Sequence, residues 1–184
     1  VILVYGTALM AFAHINPLKY LKETAELWGF TIATCASSAA VPISIGIAKD
    51  KFKVDDSVAE FCIPLGAQIN YDGATIMISC VLVLIMQMNN MPMNFISLMR
   101  MVLVASLVAS SGGGIPGGSM IKLLIVAETL GLPTAFVGVV TAFQRLTEMG
   151  TSSANSLGDL AGTICADRME KKRAARLAKA SCRN

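Results

Sequence analysis

One acidic side chain stands alone in the most apolar part of the chain. Asp72 is the only charged residue between Glu60 and Arg100. An ionised carboxylate at bilayer depth is costly, and it is normally kept only where it meets a cation, a partner charge or water. Asn70 and Gly73 flank it and are poor helix formers, so we expect the apolar segment to break there. Broken helices at membrane depth commonly line an ion or substrate site, and this segment predicts such a site.

A second group of polar side chains has helical spacing near the C-terminus. Its members are Gln144, Glu148, Thr151, Ser152, Asn155 and Asp159. This spacing places all of them on one helix face. A solvated face, contacts between helices and a proton relay are the alternatives. The group contains no nucleophile–base pair and no His, so we do not expect an enzyme. Carboxylate and amide oxygens are ligands that a hard cation prefers, so the group predicts a cation site.

The composition places these residues in a membrane protein. Apolar residues make up 54% of the chain and charged residues 15%, whereas a soluble domain averages about 25% charged residues. Long uncharged runs at 61–71, 73–99 and 101–121 predict membrane spans. The five cysteines are scattered, and we expect them to be small core residues. The chain begins without Met or a charged leader, so we expect no signal peptide and expect the sequence to be part of a larger protein.

Two segments predict helical hairpins that enter the membrane without crossing it. The first covers residues 27–48 and turns at a serine-containing tip at 36–42, where hydroxyls and freed backbone groups can bind a ligand. The second covers 95–130 and turns at a glycine-rich tip at 110–118. The arms of the first are too short to span a bilayer, and we read the second in the same way. A phosphate-binding loop is the alternative for the second tip, but the GxxxxGK[ST] pattern is absent from it.

The remaining segments complete an all-α membrane protein with broken transmembrane helices. We expect residues 1–13 to be the last part of a spanning helix. We also expect a broken span at 58–89 and a final span at 134–166. The segment 167–184 carries seven basic and two acidic residues, a net charge of +5. No aromatic residues interleave the basic ones, so we expect no nucleic acid partner, and the positive-inside rule places the C-terminus in the cytoplasm. The first hairpin then enters from inside and the second from outside.

Four motifs in this order resemble the glutamate transporter family, the dicarboxylate/amino acid:cation symporters. Residues 70–74, Asn-Tyr-Asp-Gly-Ala, resemble the Asn-Met-Asp-Gly-Thr motif of its broken seventh helix. Residues 36–42 and 112–117 resemble the tips of its two hairpins, and 148–159 resemble its eighth helix. The resemblance covers only the C-terminal transport core, from the end of helix six onward. It implies a core at 1–168 and a basic cytoplasmic tail at 169–184.

The resemblance implies sodium-coupled uptake by an elevator movement, with the second hairpin as the extracellular gate. Sodium is the coupling ion, no other cofactor is expected, and membrane lipid and a homotrimer of the full-length protein are implied. One sodium site is implied at Gly66, Asn70, Asn155 and Asp159. A second is implied at Asp72 with Asn70, completed by segments outside this sequence. A third is implied at backbone carbonyls of Gln68, Ala109, Ser110 and Gly112.

The resemblance also implies a substrate site. Its residues are Ser37, Ser38, Gly114, Ile115, Pro116, Glu148, Thr151, Ser152 and Asn155. Relatives carry an Arg at the position of Thr151 to pair with an acidic side chain, and Cys35 does not replace that charge. We expect Arg145 to be the only nearby substitute for that Arg, and its spacing points it away from Thr151.

We therefore expect a small neutral amino acid as substrate. Tyr71 replaces the motif's Met, Ala74 replaces its Thr, and Glu148 replaces the eighth helix's Asp. An acidic amino acid or dicarboxylate symporter is the first alternative. A non-transporting or ion-conducting relative of the same fold is the second, since these departures include a substrate contact of the family.

Overall fold

The structure is a computed structural model that describes residues 2–111 and 117–181, with side chains described for 3–111 and 117–179. Within those ranges every regular element is helical, which confirms the all-α expectation. The α-helices are α1 (Ile2–Ala8), α2 (Pro17–Glu23), α3 (Ala25–Thr34), α4 (Val41–Asp50), α5 (Asp56–Ile69), α6 (Asp72–Met88), α7 (Phe95–Ala109), α8 (Gly118–Thr129), α9 (Ala135–Thr141) and α10 (Gln144–Ser181).

The N-terminal helix ends where the sequence predicts. A π-helical turn, Leu9–Ala13, continues α1, and His14 ends it in a left-handed conformation with φ of 56°. Asn16 then caps α2, because its side chain accepts a hydrogen bond from the backbone N–H of Leu18.

The first predicted hairpin is a pair of antiparallel helices, α3 and α4, joined by a short 3₁₀ turn at Ser38–Ala40. Cys35 ends α3 with φ of 54°, and α4 begins with a proline in its first turn. The pair is slightly longer than the sequence pattern indicates. Helix α3 packs along α10, and α4 packs against α5.

The span predicted at 58–89 is broken where the sequence indicates, although the break is shorter than expected. Asn70 and Tyr71 leave the helical conformation, with ψ of 107° and 41°. Asp72 and Gly73, which were expected to belong to the break, already form the first turn of α6. The stretch Asp56–Met88 is long and apolar enough to cross a membrane.

A polar network that includes the buried Asp167 fixes the start of α5. Asp55 caps the helix, and its hydrogen bonds with Ser57 hold the pKa of the Asp55 carboxyl below its ordinary value. The backbone N–H of Asp55 donates to Asp167 Oδ1 at 3.1 Å. Asp167 is buried and also forms an ion pair with Lys171 at 2.8 Å. The first turn of the basic segment therefore packs against the core.

The second predicted hairpin corresponds to α7 and α8. Asn94 caps α7, because its Oδ1 accepts from the backbone N–H of Ser97 at 2.8 Å. Gly117, with φ of 86°, leads into α8. The part of the tip at 112–116 lies outside the described residues.

The final span differs from the expectation of one continuous helix at 134–166. Ala142 and Phe143 donate their backbone N–H groups to carbonyls three residues earlier, so the chain turns between α9 and α10. Helix α10 then continues through the basic segment to Ser181.

Two apolar clusters flank α10. One joins the π-helical turn after α1, helices α2 to α5 and the middle of α10, and the other joins α6, α7, α8 and α9. Large apolar side chains such as Phe61, Phe95 and Leu107 are exposed, which suits contact with lipid or another protein surface rather than water.

Candidate ion and substrate site

The polar face of α10 points into the protein. Glu148, Ser152, Asn155 and Asp159 are buried, with between 4% and 8% of their surface exposed. The alternative of a solvated face is therefore wrong for these residues. Contacts between helices also occur on α10: Ser153 bonds Thr31, and the Leu157 carbonyl accepts from Tyr20.

The four residues expected at one sodium site meet where α5 ends. Asn70 Nδ2 donates to Asp159 Oδ1 at 2.9 Å and to the Asn155 carbonyl at 3.4 Å. A Cβ on Gly66 would lie 2.7 Å from Asp159 Oδ1, so only glycine lets the α5 backbone come this close to the carboxylate. The Asp159 carboxylate and the Asn155 backbone carbonyl both face the Asn70 amide here, and oxygens of these two kinds suit a hard cation.

Asp72, expected in a second sodium site, has a partner that sequence reasoning missed. The Tyr5 hydroxyl donates a hydrogen bond to Asp72 Oδ2. Tyr5, Asn70, Asp72 and Asp159 line one cavity, so the two expected sites are neighbours. The sequence offered only a weak signal for Tyr5, since it is one of two hydroxyl side chains, with Thr7, in the apolar run that forms α1.

A second cavity contains most of the described residues expected to bind substrate. Ser37, Glu148, Thr151, Ser152 and Asn155 line it, together with Tyr71, Ala74, Ser119 and Lys122. Ser38 is not among the lining residues. Gly114, Ile115 and Pro116 fall outside the described residues. The cavity therefore lies where the tip between α3 and α4 and the start of α8 meet the polar face of α10.

Glu148 is already engaged with the start of α8. Its Oε1 accepts hydrogen bonds from the Gly117 N–H and the Ser119 hydroxyl, both at 2.8 Å, and from Gln144 Nε2 at 3.2 Å. The carboxylate thus connects the described end of the second tip to α10. Ser119 was not expected at the site, because it lies beyond the motif that defines the tip.

The residues expected at a third sodium site are only partly brought together. Ala109 is fully buried, whereas Gln68 and Ser110 are exposed, and Gly112 lies outside the described residues. The Ala109 carbonyl accepts a hydrogen bond of 2.7 Å from Lys122 Nζ. One of the backbone oxygens expected to bind sodium is therefore already bonded to a cationic side chain.

Lys122 is a further functional candidate that sequence reasoning missed. It is the only charged residue between Arg100 and Glu128, so the argument that identified Asp72 also applies to it. Arg145, considered as the nearest substitute cation, has an exposed side chain, and its backbone carbonyl faces Cys35 Sγ at 3.8 Å. The expectation that Arg145 was the nearest cation to the pocket is wrong.

Comparisons with known proteins identify the family. The model of the sodium:dicarboxylate symporter family matches residues 1–169. The chain is 29% identical over 151 residues to neutral amino acid transporter A of Homo sapiens, covering 82% of the chain and 28% of the relative. It is 29% identical over 147 residues to an excitatory amino acid transporter of Caenorhabditis elegans, covering 80% and 29%. It is 27% identical over 157 residues to excitatory amino acid transporter 3 of Mus musculus, covering 85% and 30%.

The chain spans less than a third of the length of these relatives. The family consists of membrane symporters and not of enzymes. Because the family model covers nearly the whole sequence, the chain belongs to the sodium:dicarboxylate symporter family.

Proposed function

We propose that the chain forms the C-terminal transport core of a sodium-coupled symporter for small neutral amino acids. The observation that carries this proposal is the position of Asn155 between the two cavities. Its backbone carbonyl accepts from Asn70 beside Asp159, and its side chain lines the pocket that contains Glu148 and Thr151. A ligand in the pocket acts on Asn155 directly, and a ligand in the ion cavity acts on it through Asn70, which is a physical route for coupling ion binding to substrate binding.

The charges around the pocket favour an amino acid. The Glu148 carboxylate suits an α-ammonium group, because it can exchange its present hydrogen bonds with α8 for those of the substrate. The amide of Asn155 and the backbone donors of the second tip suit an α-carboxylate. Thr151 offers a hydroxyl where an acidic substrate would need a cation such as Arg. The similarity to a neutral amino acid transporter supports the same substrate class.

An acidic amino acid is the second candidate, and one observation favours it. Lys122 lines the same pocket and supplies a positive charge. Two of the relatives are named excitatory amino acid transporters. The neutral substrate remains the better candidate, since the Lys122 ammonium bonds the Ala109 carbonyl and lies over the Tyr71 ring.

The transport cycle is proposed from the family and from the helix pairs. In the full-length homotrimer, the core moves across the membrane as an elevator. The pair α3–α4 enters from the cytoplasm, and α7–α8 enters from outside and serves as the gate. The C-terminus lies in the cytoplasm, as the basic residues of α10 indicate.

Uptake by the full-length protein in proteoliposomes tests this function. An inward sodium gradient should drive uptake of labelled alanine, and unlabelled serine should compete while aspartate and succinate compete weakly. Replacement of sodium by choline should abolish the uptake. Strong preference for aspartate or succinate would contradict the neutral substrate, and uptake that ignores sodium would contradict the coupling.

A further inference from the structure

We propose that the Lys122 ammonium is a built-in cation that takes the place of a sodium ion at the third of the expected sites. This inference rests on the proposed function, because it concerns how many sodium ions drive transport. Lys122 lies in α8, and none of the four sequence motifs gives it a role.

The first observation is the position of the Lys122 ammonium. Nζ donates a hydrogen bond of 2.7 Å to the Ala109 carbonyl at the end of α7. Ala109 is fully buried, and Lys122 is 7% exposed. A buried ammonium is retained where oxygens or π faces compensate for the lost water. The carbonyl that the family resemblance offers to sodium is therefore bound to a cation that belongs to the chain.

The second observation is the aromatic ring beneath that ammonium. Lys122 Nζ lies 3.6 Å from the centre of the Tyr71 ring, a cation–π geometry. Tyr71 is 5% exposed, and its hydroxyl donates to the Ala67 carbonyl at 3.3 Å, which fixes the ring. Tyr71 stands where the family motif has Met. The replacement of the motif's Met by Tyr71 is thus explained, because the Tyr71 ring provides the aromatic face on which the Lys122 ammonium lies.

The third observation is that Tyr71 and Ala109, two partners of Lys122, belong to one buried cluster. Tyr71, Ala74 and Ala109 pack together as a separate cluster of buried side chains. A sodium ion bound to the same carbonyl would lie within a few ångströms of the ammonium and would be repelled by it. One monovalent cation satisfies the site, and here it is covalently attached.

An attached cation changes the energetics of transport. Lys122 moves with the core in both directions, so it takes no energy from the sodium gradient. At a tenfold sodium gradient and zero membrane potential, each coupled sodium ion raises the equilibrium accumulation of substrate about tenfold. A protein that uses Lys122 in this way couples one sodium ion fewer than a protein with all three sites open.

The experiment measures alanine accumulation at equilibrium as a function of the sodium gradient, in proteoliposomes with the potential clamped at zero. The full-length wild type is compared with Lys122→Met and with the double variant Lys122→Met/Tyr71→Met, which restores the motif's Met. Lys49→Met is the matched control, because Lys49 forms ion pairs with Asp56 and Glu60 at the start of α5, away from both cavities.

We expect at least one of the two variants, Lys122→Met or the double variant, to accumulate about tenfold more alanine than wild type at a tenfold sodium gradient. The Lys49→Met control should match wild type. Equal dependence on the gradient in wild type and in both folded Lys122 variants overturns the inference and leaves the proposed function intact. A change in competition by aspartate with unchanged sodium dependence also overturns it and makes Lys122 a substrate contact.

If neither Lys122 variant folds, the dependence of alanine accumulation on the sodium gradient in wild type tests the inference. If alanine accumulation by wild type depends on the sodium gradient as expected for three coupled sodium ions, the inference is overturned. A dependence that corresponds to two coupled sodium ions supports it. Absence of any sodium-driven uptake by wild type contradicts the proposed function itself, and the inference fails with it.

Discussion

The side-chain oxygen of Asn155 accepts a hydrogen bond of 2.8 Å from the backbone N–H of Gly73. Gly73 lies in the first turn of α6, where backbone N–H groups have no partner within the helix. Asn155 on α10 therefore caps the second half of the broken span from another helix. The break between the ion cavity and the substrate pocket is thus held by a residue that lines the pocket and bonds Asn70 at the ion cavity.

Gly73→Ala should destabilise the protein because the two helices are too close for a methyl group. A Cβ at this position would lie 2.6 Å from the Thr151 carbonyl oxygen and 2.8 Å from Thr151 Cα, and backbone atoms cannot swing aside. We expect a loss of about 1–3 kcal/mol, as for other overpacked sites, measured as a lower midpoint of thermal unfolding in detergent.

Gly150→Ala is the matched control for that substitution. Gly150 is one residue before Thr151 on α10, and a Cβ there would meet nothing within 4 Å. Alanine should be neutral or stabilising by up to about 1 kcal/mol, since it is a better helix former. A Gly73→Ala protein as stable as the Gly150→Ala protein would show that α6 can move away from α10.

Asp159→Asn should weaken sodium activation of uptake more than it disturbs folding. The amide keeps an oxygen for Asn70 but removes the negative charge that attracts a cation. We expect the sodium concentration for half-maximal uptake to rise roughly tenfold or more, equivalent to about 1.4 kcal/mol of cation binding. The exposed Asp50 provides the control Asp50→Asn, and the same sodium dependence in both variants would sink the assignment.

The second tip should open to the outside, with Glu148 holding it closed. A cysteine introduced at Gly114, beyond the described residues, should react with an impermeant maleimide, and more slowly when alanine and sodium are present. Ser119→Ala removes one of the hydrogen bonds to Glu148 and should speed the labelling, because opening then breaks fewer contacts.

Ser106→Ala is the control for the tip experiment, since the Ser106 hydroxyl bonds only within α7 among the contacts of the described residues. Labelling of the native cysteines, five of which lie in this chain, is measured in the parent protein and subtracted. Equal rates with and without ligands, and with Ser119 or Ala, would argue against a gate at this tip.

Thr151→Arg should shift the substrate preference toward acidic compounds. Thr151 lines the pocket, and its hydroxyl bonds the Glu148 carbonyl of its own helix, so it offers no charge to a substrate. An Arg there can hold a carboxylate through two parallel hydrogen bonds. Aspartate and succinate should then compete with alanine at least about tenfold better, a change of about 1.4 kcal/mol in relative affinity.

Thr147→Arg, one turn earlier on α10 and outside that pocket, is the control for the Thr151 variant. It should keep the wild-type order of competitors. An unchanged order in both variants would show that this position does not contact the substrate side chain.

Local features of the sequence determined much of the fold. The helical spacing of residues 144–159, the break in the span near Asn70 and the end of the first helix before residue 17 all depend on neighbours within a few turns. They were predictable because helix periodicity and caps are local properties. The expected ion cluster at Gly66, Asn70, Asn155 and Asp159 also assembled, although this expectation came from the resemblance of motifs.

Only the tertiary structure decided which distant groups share a compartment. Tyr5 meets Asp72 across 67 residues, Asp55 meets Asp167 across 112, and Lys122 meets Ala109 and Tyr71 from a different helix. The sequence carries the charge of Lys122 but not its partner, because the direction of a long side chain depends on which helices pack around it. Burial then requires that each such group find an oxygen or a ring, and the packing of α6, α7 and α8 supplies both to Lys122.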